Sequence, residues 1–170
     1  TETGADIMHL ISSDNDVCGR AYIYTGTIST STGVGLTNVV CTGSSRTVAH
    51  EVGHNIGANH NSPDGGYATH CHGSTFGGFQ TIMSTAGGTT VFRFSNPRKN
   101  TAGTQEGSFS TADNVNCFET TSAAIAAIEK SKYANLDDSD EQFMLNSNCF
   151  IATAAYDSAY TAEVVALQKF

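Results

Sequence analysis

The sequence predicts an α+β domain that combines a small mixed sheet, a histidine-bearing helix and a closing helix. Three observations predict it. Three short apolar stretches, at residues 5–11, 19–25 and 34–41, carry the β-branched and aromatic residues that suit strands. Within residues 48–60, His50 and His54 stand four apart, the spacing that shares one helical face. Across residues 110–133, Val115, Phe118, Ser122, Ile125 and Ile128 recur at near-helical spacing.

Composition bounds the answer. At 170 residues, one domain with a real core is expected. Charged residues are only 14 %, so the surface leans on Ser, Thr, Asn and Gly. The net charge of −8 argues against nucleic acid and against anionic membrane surfaces as partners. No apolar run approaches the roughly 20 residues that span a bilayer. A monomer is expected, and Thr1 reads as a cut end. Five cysteines suggest an oxidising compartment, and the odd count leaves at least one unpaired within the chain.

In chain order, residues 5–11 read as a buried strand. Residues 12–16 follow as a loop. There Asp14-Asn15-Asp16 offers the oxygen ligands that Ca2+ takes, but no glutamate follows at EF-hand spacing, and a solvated acidic turn is the preferred reading. Residues 19–25 and 34–41 read as two strands about a Ser/Thr-rich loop. If they pair antiparallel, Cys18 and Cys41 lie opposite each other at the open end, and a disulfide is favoured over two buried thiols.

The next helix carries the chemistry. Ser44 or Ser45 is the expected cap, and Val48, Ala49, Val52 and Ile56 the expected buried stripe. His50 and His54 reach one metal ion side by side. Gly57 takes a left-handed conformation, ends the helix and turns the chain, so that His60 returns as a third ligand. Three protein ligands leave one tetrahedral position open, the mark of a catalytic Zn2+ site. Zinc lowers the pKa of a bound water toward about 7. Glu51, one residue beyond the first ligand, is placed to take that water's proton. The expected chemistry is metal-assisted hydrolysis of a peptide bond.

The pattern H-E-x-x-H-x-x-G-x-x-H is met at every fixed position, and Met83 follows within residues 80–85. In these residues the chain resembles the metzincin zinc endopeptidases, over about residues 5–133. The resemblance implies a metzincin-type catalytic domain, Glu51 as general base, and Met83 in a tight turn beneath the zinc. It implies an edge strand above the cleft, here Gly19, Arg20, Ala21, Tyr22 and Ile23, that binds a protein or peptide substrate as an added strand. Asn61 stands where adamalysin-like members carry Asp. Ser84-Thr85 stand where astacins and serralysins carry a tyrosine, so no tyrosine ligand is expected. Phe94-Ser95-Asn96-Pro97 resembles a turn of bacterial adamalysin-like proteases. The first strands and helix of the family domain have no counterpart, so an apolar sheet edge or face is expected to be exposed. Residues 134–148 read as an acidic linker, and 149–170 resemble the short C-terminal box of bacterial exported proteins, beginning Cys149-Phe150-Ile151. A secreted bacterial location is implied.

Other features are open. His70-Cys71-His72 suggests a second metal, but alternation points Cys71 away from the histidines, and a loop with Cys71 in a disulfide is preferred. Cys117 pairs with Cys71 or Cys149. The resemblance implies that the segment after Met83 walls a specificity pocket, so Val91, Phe92 and Phe94 line it or belong to the core, and Arg98-Lys99-Asn100 reads as a solvated turn. Two rival functions stand beside the peptidase: a zinc-stabilised binding module, and a zinc hydrolase of small amides or cell-wall peptides.

Overall fold

A computed structural model describes residues 5–13, 16–29, 31–42, 46–63 and 65–128. The calcium motif at Asp14-Asn15, Ser44 and Ser45, Cys149, the linker and the C-terminal segment lie outside the described residues.

Three strands form the first sheet: β1 (Met8–Ser12), β2 (Gly19–Ala21) and β3 (Val34–Asn38), in the order β1-β3-β2. β1 runs parallel to β3, with Leu10 opposite Leu36, and β2 runs antiparallel to it, with Arg20 opposite Leu36. The sheet is therefore mixed. A disulfide joins Cys18 to Cys41 across the open end of the β2–β3 pair.

Each strand is shorter than its apolar stretch. Beyond Asn38 the chain coils into a short helix, α1 (Val39–Thr42). Asn38 Oδ1 accepts from the Val40 N–H at 3.0 Å, and the Thr42 hydroxyl donates to the Val39 carbonyl at 2.7 Å. These local bonds compete with the ladder and end it. β1 is also not the buried strand that its composition suggests. Met8, Leu10 and Ile11 are 49, 58 and 47 % exposed. β1 is an edge, and no described element covers the outer face to which Met8 and Leu10 point. Among the described residues, an apolar edge and face thus stand uncovered.

The inner face of the sheet meets α2 (Thr47–Asn55). Arg46 occupies the cap position and makes no side-chain capping bond. The expected apolar stripe is replaced: Val48 is 36 % exposed, Ala49, Val52 and Ile56 are half-buried, and Glu51, Gly53, His54 and Asn55 are buried. The helix buries its polar side because that side faces both the sheet and the site. Asn55 shows how this is tolerated. Its Nδ2 donates to the carbonyls of Tyr22 and Val34, both at 3.0 Å, so the helix is tied by hydrogen bonds to β3 and to the residue that follows β2.

The second half is held by small ladders and a disulfide. β4 (Asn59–Asn61) pairs parallel with β5 (His72–Gly73). β6 (Thr75–Phe76), β7 (Phe79–Gln80) and β8 (Thr89–Thr90) form a second small sheet. β9 (Asn96–Thr101) and β10 (Thr104–Glu106) form a hairpin, so Arg98-Lys99-Asn100 is strand rather than turn. Tertiary partners decide this. Buried Glu106 pairs with Arg93 and accepts from Thr101, while Arg98 reaches buried Asp113 at 2.9 Å.

The closing helix α3 (Asn114–Ile125) starts later than its periodicity suggests. Asp113 is its cap and accepts from the Asn116 N–H at 3.1 Å. Cys117 on α3 bridges to Cys71, which resolves the Cys71-or-Cys149 choice. Two apolar clusters form the core. Tyr24, Ile125 and Ile128 gather in one, and Ala58, Ile82 and Met83 in the other, packed by Ala49, Phe94 and Phe118. Phe94 is thus core, whereas Phe92 is 69 % exposed.

Candidate metal centre and active site

α2 places His50, Glu51 and His54 along its last two turns. Gly57 then adopts φ +103°, a conformation that disfavours any side chain with a Cβ. The Gly57 N–H bonds the His54 carbonyl at 3.0 Å, and the Ala58 N–H bonds the Gly53 carbonyl at 2.9 Å. These bonds close the helix end and release the chain into β4. Pairing with β5 then holds β4, and His60 faces back toward α2.

The three imidazoles converge. His60 Nε2 lies 3.0 Å from His50 Nε2 and 3.1 Å from His54 Nε2. Nitrogens bound tetrahedrally at about 2.0–2.1 Å to one zinc ion would stand about 3.3–3.4 Å apart, so the trio is close to the spacing that an ion requires. The other ring nitrogens support the fit. His50 Nδ1 donates to the Ile82 carbonyl at 2.9 Å, and His54 Nδ1 to the Ala58 carbonyl at 2.8 Å. Carbonyls only accept, so these bonds put the protons on Nδ1 and turn the lone pairs of Nε2 toward the common centre. Among the described residues, these three histidines are the one cluster of His, Cys, Asp or Glu that gathers metal-binding atoms. His70 instead faces Asn116 at 3.1 Å, and His72 Nδ1 lies 3.1 Å from the Thr69 carbonyl.

Met83 is fully buried in a turn whose Ser84 N–H bonds the Thr81 carbonyl at 3.1 Å. It packs against α2 at Gly53, where an added Cβ would lie 2.5 Å from Met83 Sδ. The turn that buries Met83 therefore also supplies, through Ile82, the carbonyl that orients His50.

Burial sets the charge states of the metal-free site. Desolvation holds the His54 pKa down at about 4, and it lowers His50 too, with His60 and Arg46 adding repulsion. Both imidazoles are neutral at pH 7, the form that ligates metal. Glu51 is only 6 % exposed, and burial pushes its carboxyl up to about 7. A divalent charge beside it would favour the carboxylate.

One cleft joins these groups. Cys18, Gly19, Arg20, Ala21 and Ile23 border it on one side, and Arg46, Thr47, His50, Glu51, His54 and His60 on the other. Gly19 faces Glu51 directly: a Cβ there would sit 2.7 Å from Glu51 Cγ and Cδ. Of the five rim residues read from the sequence, Gly19, Arg20, Ala21 and Ile23 border the cleft, and Tyr22 turns outward, 60 % exposed. β2 is the edge of its sheet on this side. Arg46 and Asn55 escaped the sequence reading. For Arg46 a signal existed, because it stands four residues before His50 on the same helical face. For Asn55 none did, since its partners Tyr22 and Val34 come from two distant segments.

Residues 1–61 match the family model of the reprolysin-like metallopeptidases, family M12B. The matched span contains all three histidines, Glu51 and β2, and ends before Met83. No curated protein matches the chain. Among solved structures, one described as a chaperone–substrate complex shares the fold at a TM-score of 0.56 and 23 % identity. That match covers 73 % of this chain but only 20 % of the other, so this chain spans about a fifth of that chain's length. The mixed α+β architecture, with few helices and small sheets, fits part of a metallopeptidase domain. No helix of the described residues is long and apolar enough to cross a membrane.

Proposed function

We propose that this chain is a metzincin-type zinc endopeptidase, secreted by a bacterium, that hydrolyses peptide bonds in protein or peptide substrates. The observation that carries the reading is the convergence of three Nε2 atoms within hydrogen-bond distance, with a buried carboxylate one residue from the first ligand. His50, His54 and His60 would hold the ion, and Nδ1 bonds to backbone carbonyls keep His50 and His54 in ligating form. The metal, when bound, supplies Lewis acidity and lowers the pKa of water at the open position. Glu51 accepts the proton of the attacking water on its carboxylate and passes it to the departing amine nitrogen. Water, amide and carboxylate thus yield a carboxylic acid, an amine and a regenerated base. The edge of β2 with which no described strand pairs would offer backbone N–H and C=O groups to an extended peptide, and Gly19 lets that edge come close to Glu51. Two disulfides support an oxidising, extracellular location. The acidic balance supports a soluble peptide partner over nucleic acid or an anionic membrane.

Zinc content and casein or peptide cleavage, measured for the wild type and Glu51→Ala, test the reading. One zinc per chain with cleavage abolished by Glu51→Ala is expected. A wild type that binds zinc but cuts no peptide would refute it in favour of a binding module.

A further inference from the structure

Cations are scarce in this chain, and one of them is placed where helix stability gives no reason for it. Residues 6–128 hold five: Arg20, Arg46, Arg93, Arg98 and Lys99. Arg93 is paired with Glu106, and Arg98 with Asp113. Arg46 has no carboxylate partner among the described residues; its guanidinium donates to the Thr90 hydroxyl at 3.4 Å. It sits at the cap of α2, where a hydroxyl or carboxylate would satisfy first-turn N–H groups and a cation opposes the helix dipole. It also borders the cleft, one helical turn ahead of His50. Among the described residues, the only acidic one on the cleft is Glu51. So in a chain of net charge −8, the cleft carries a positive charge with no carboxylate partner among the described residues, beside the reacting centre. Arg20 also borders the cleft, but strand alternation sends its side chain to the face opposite Gly19 and so away from Glu51.

We infer that Arg46 selects a carboxylate on the peptide substrate, carried either by an acidic side chain near the cleaved bond or by the free C-terminus of a short peptide. The inference rests on the peptidase reading and names its substrate class. A guanidinium binds a carboxylate through charge-assisted, often bidentate hydrogen bonds, and Thr90 holds one end of the fork in place. A half-buried position next to apolar and imidazole surfaces makes that pairing stronger than one in open solvent.

Library profiling with the zinc-loaded protein would locate the cleaved bond. Matched peptides carrying Glu, Gln or Lys beside it, each as free acid and as C-terminal amide, then separate the two carboxylate sources. The Glu peptide, or the free-acid form, is expected to show kcat/KM about tenfold above its neutral match. Arg46→Gln should bring that ratio near unity, Arg46→Lys should keep part of it, and Arg46→Glu should favour the Lys peptide. Binding of labelled peptides to zinc-loaded Glu51→Gln, read by fluorescence anisotropy, should follow the same order without turnover and weaken with salt. Equal rates and equal Kd values across the set, or a preference that survives Arg46→Gln, overturn the role of Arg46 and leave the peptidase reading standing. Cleavage of none of the peptides by the zinc-loaded wild type overturns both.

Discussion

Replacing Gly19 by Ala tests the placement of Glu51 without touching Glu51, the histidines or the helix. A Cβ at this position would sit 2.7 Å from Glu51 Cγ and Cδ. Ordinary carbon–carbon contacts are about 3.5–4.0 Å, so about 1 Å must be found. Backbone on both sides resists, because β2 is laddered to β3 and the Cys18–Cys41 bridge adjoins Gly19. The side chain of Glu51 gives way instead. A displacement of about 1 Å in a reacting group costs roughly 100-fold in rate, or about 2.7 kcal/mol of transition-state stabilisation. Stability should hardly change. Gly19 lies in a strand, where alanine is favoured over glycine by about 0.5–1 kcal/mol, which offsets part of the crowding. The assay pairs kcat/KM on one peptide with zinc stoichiometry and thermal unfolding of the zinc-loaded protein. The expected result is full zinc occupancy, a Tm within a few degrees of wild type and activity down about 100-fold. Wild-type activity in Gly19→Ala would refute the claim that Glu51 works from the position seen here.

Three further predictions follow from the same geometry. In the metal-free protein, burial raises the folded-state pKa of Glu51 from 4.5 to about 7. Its favourable contribution is therefore complete below pH 4.5 and lost as pH rises through 7. Glu51→Gln should raise the metal-free Tm at pH 8 and have little effect at pH 4; equal Tm values at pH 8 would contradict this. Asn55→Ala removes both Nδ2 bonds; the Val34 carbonyl keeps the Tyr22 N–H at 3.1 Å, so the cost is expected at about 1–2 kcal/mol by denaturant titration. Because those bonds tie α2 to the rim, the KM of a long peptide should rise more than that of a short one. Replacing both Cys71 and Cys117 by Ser opens a closure of 46 residues and should cost about 4 kcal/mol on the chain-entropy argument, read as a lower unfolding midpoint with an unchanged zinc content.

Legibility in the sequence tracked how local each feature is. The spacing of His50, His54 and Glu51 could be read because a helix has one period, and the return of His60 because Gly57 allows a conformation that ends a helix. The Cys18–Cys41 pairing followed from a single hairpin. The strand in Arg98-Lys99-Asn100 was not legible, since its reason lies in Asp113 and in Glu106 on the partner strand. Nor was the buried polar side of α2, because an amphipathic pattern cannot show that a helix face serves a site and a sheet at once.

From the order of residues alone came the candidate ligand trio, the neighbouring carboxylate, the helix-ending glycine and the first disulfide, all set by spacing within some 25 positions. The folded chain decided the rest. It chose which carbonyls orient the imidazoles, with Ile82 reaching His50 across 32 residues. It brought Gly19 against Glu51, left Met8 and Leu10 uncovered and set Arg46 on the cleft. These depend on contacts between distant segments, and such contacts are selected by packing and hydrogen-bond satisfaction over the whole core rather than by any local preference.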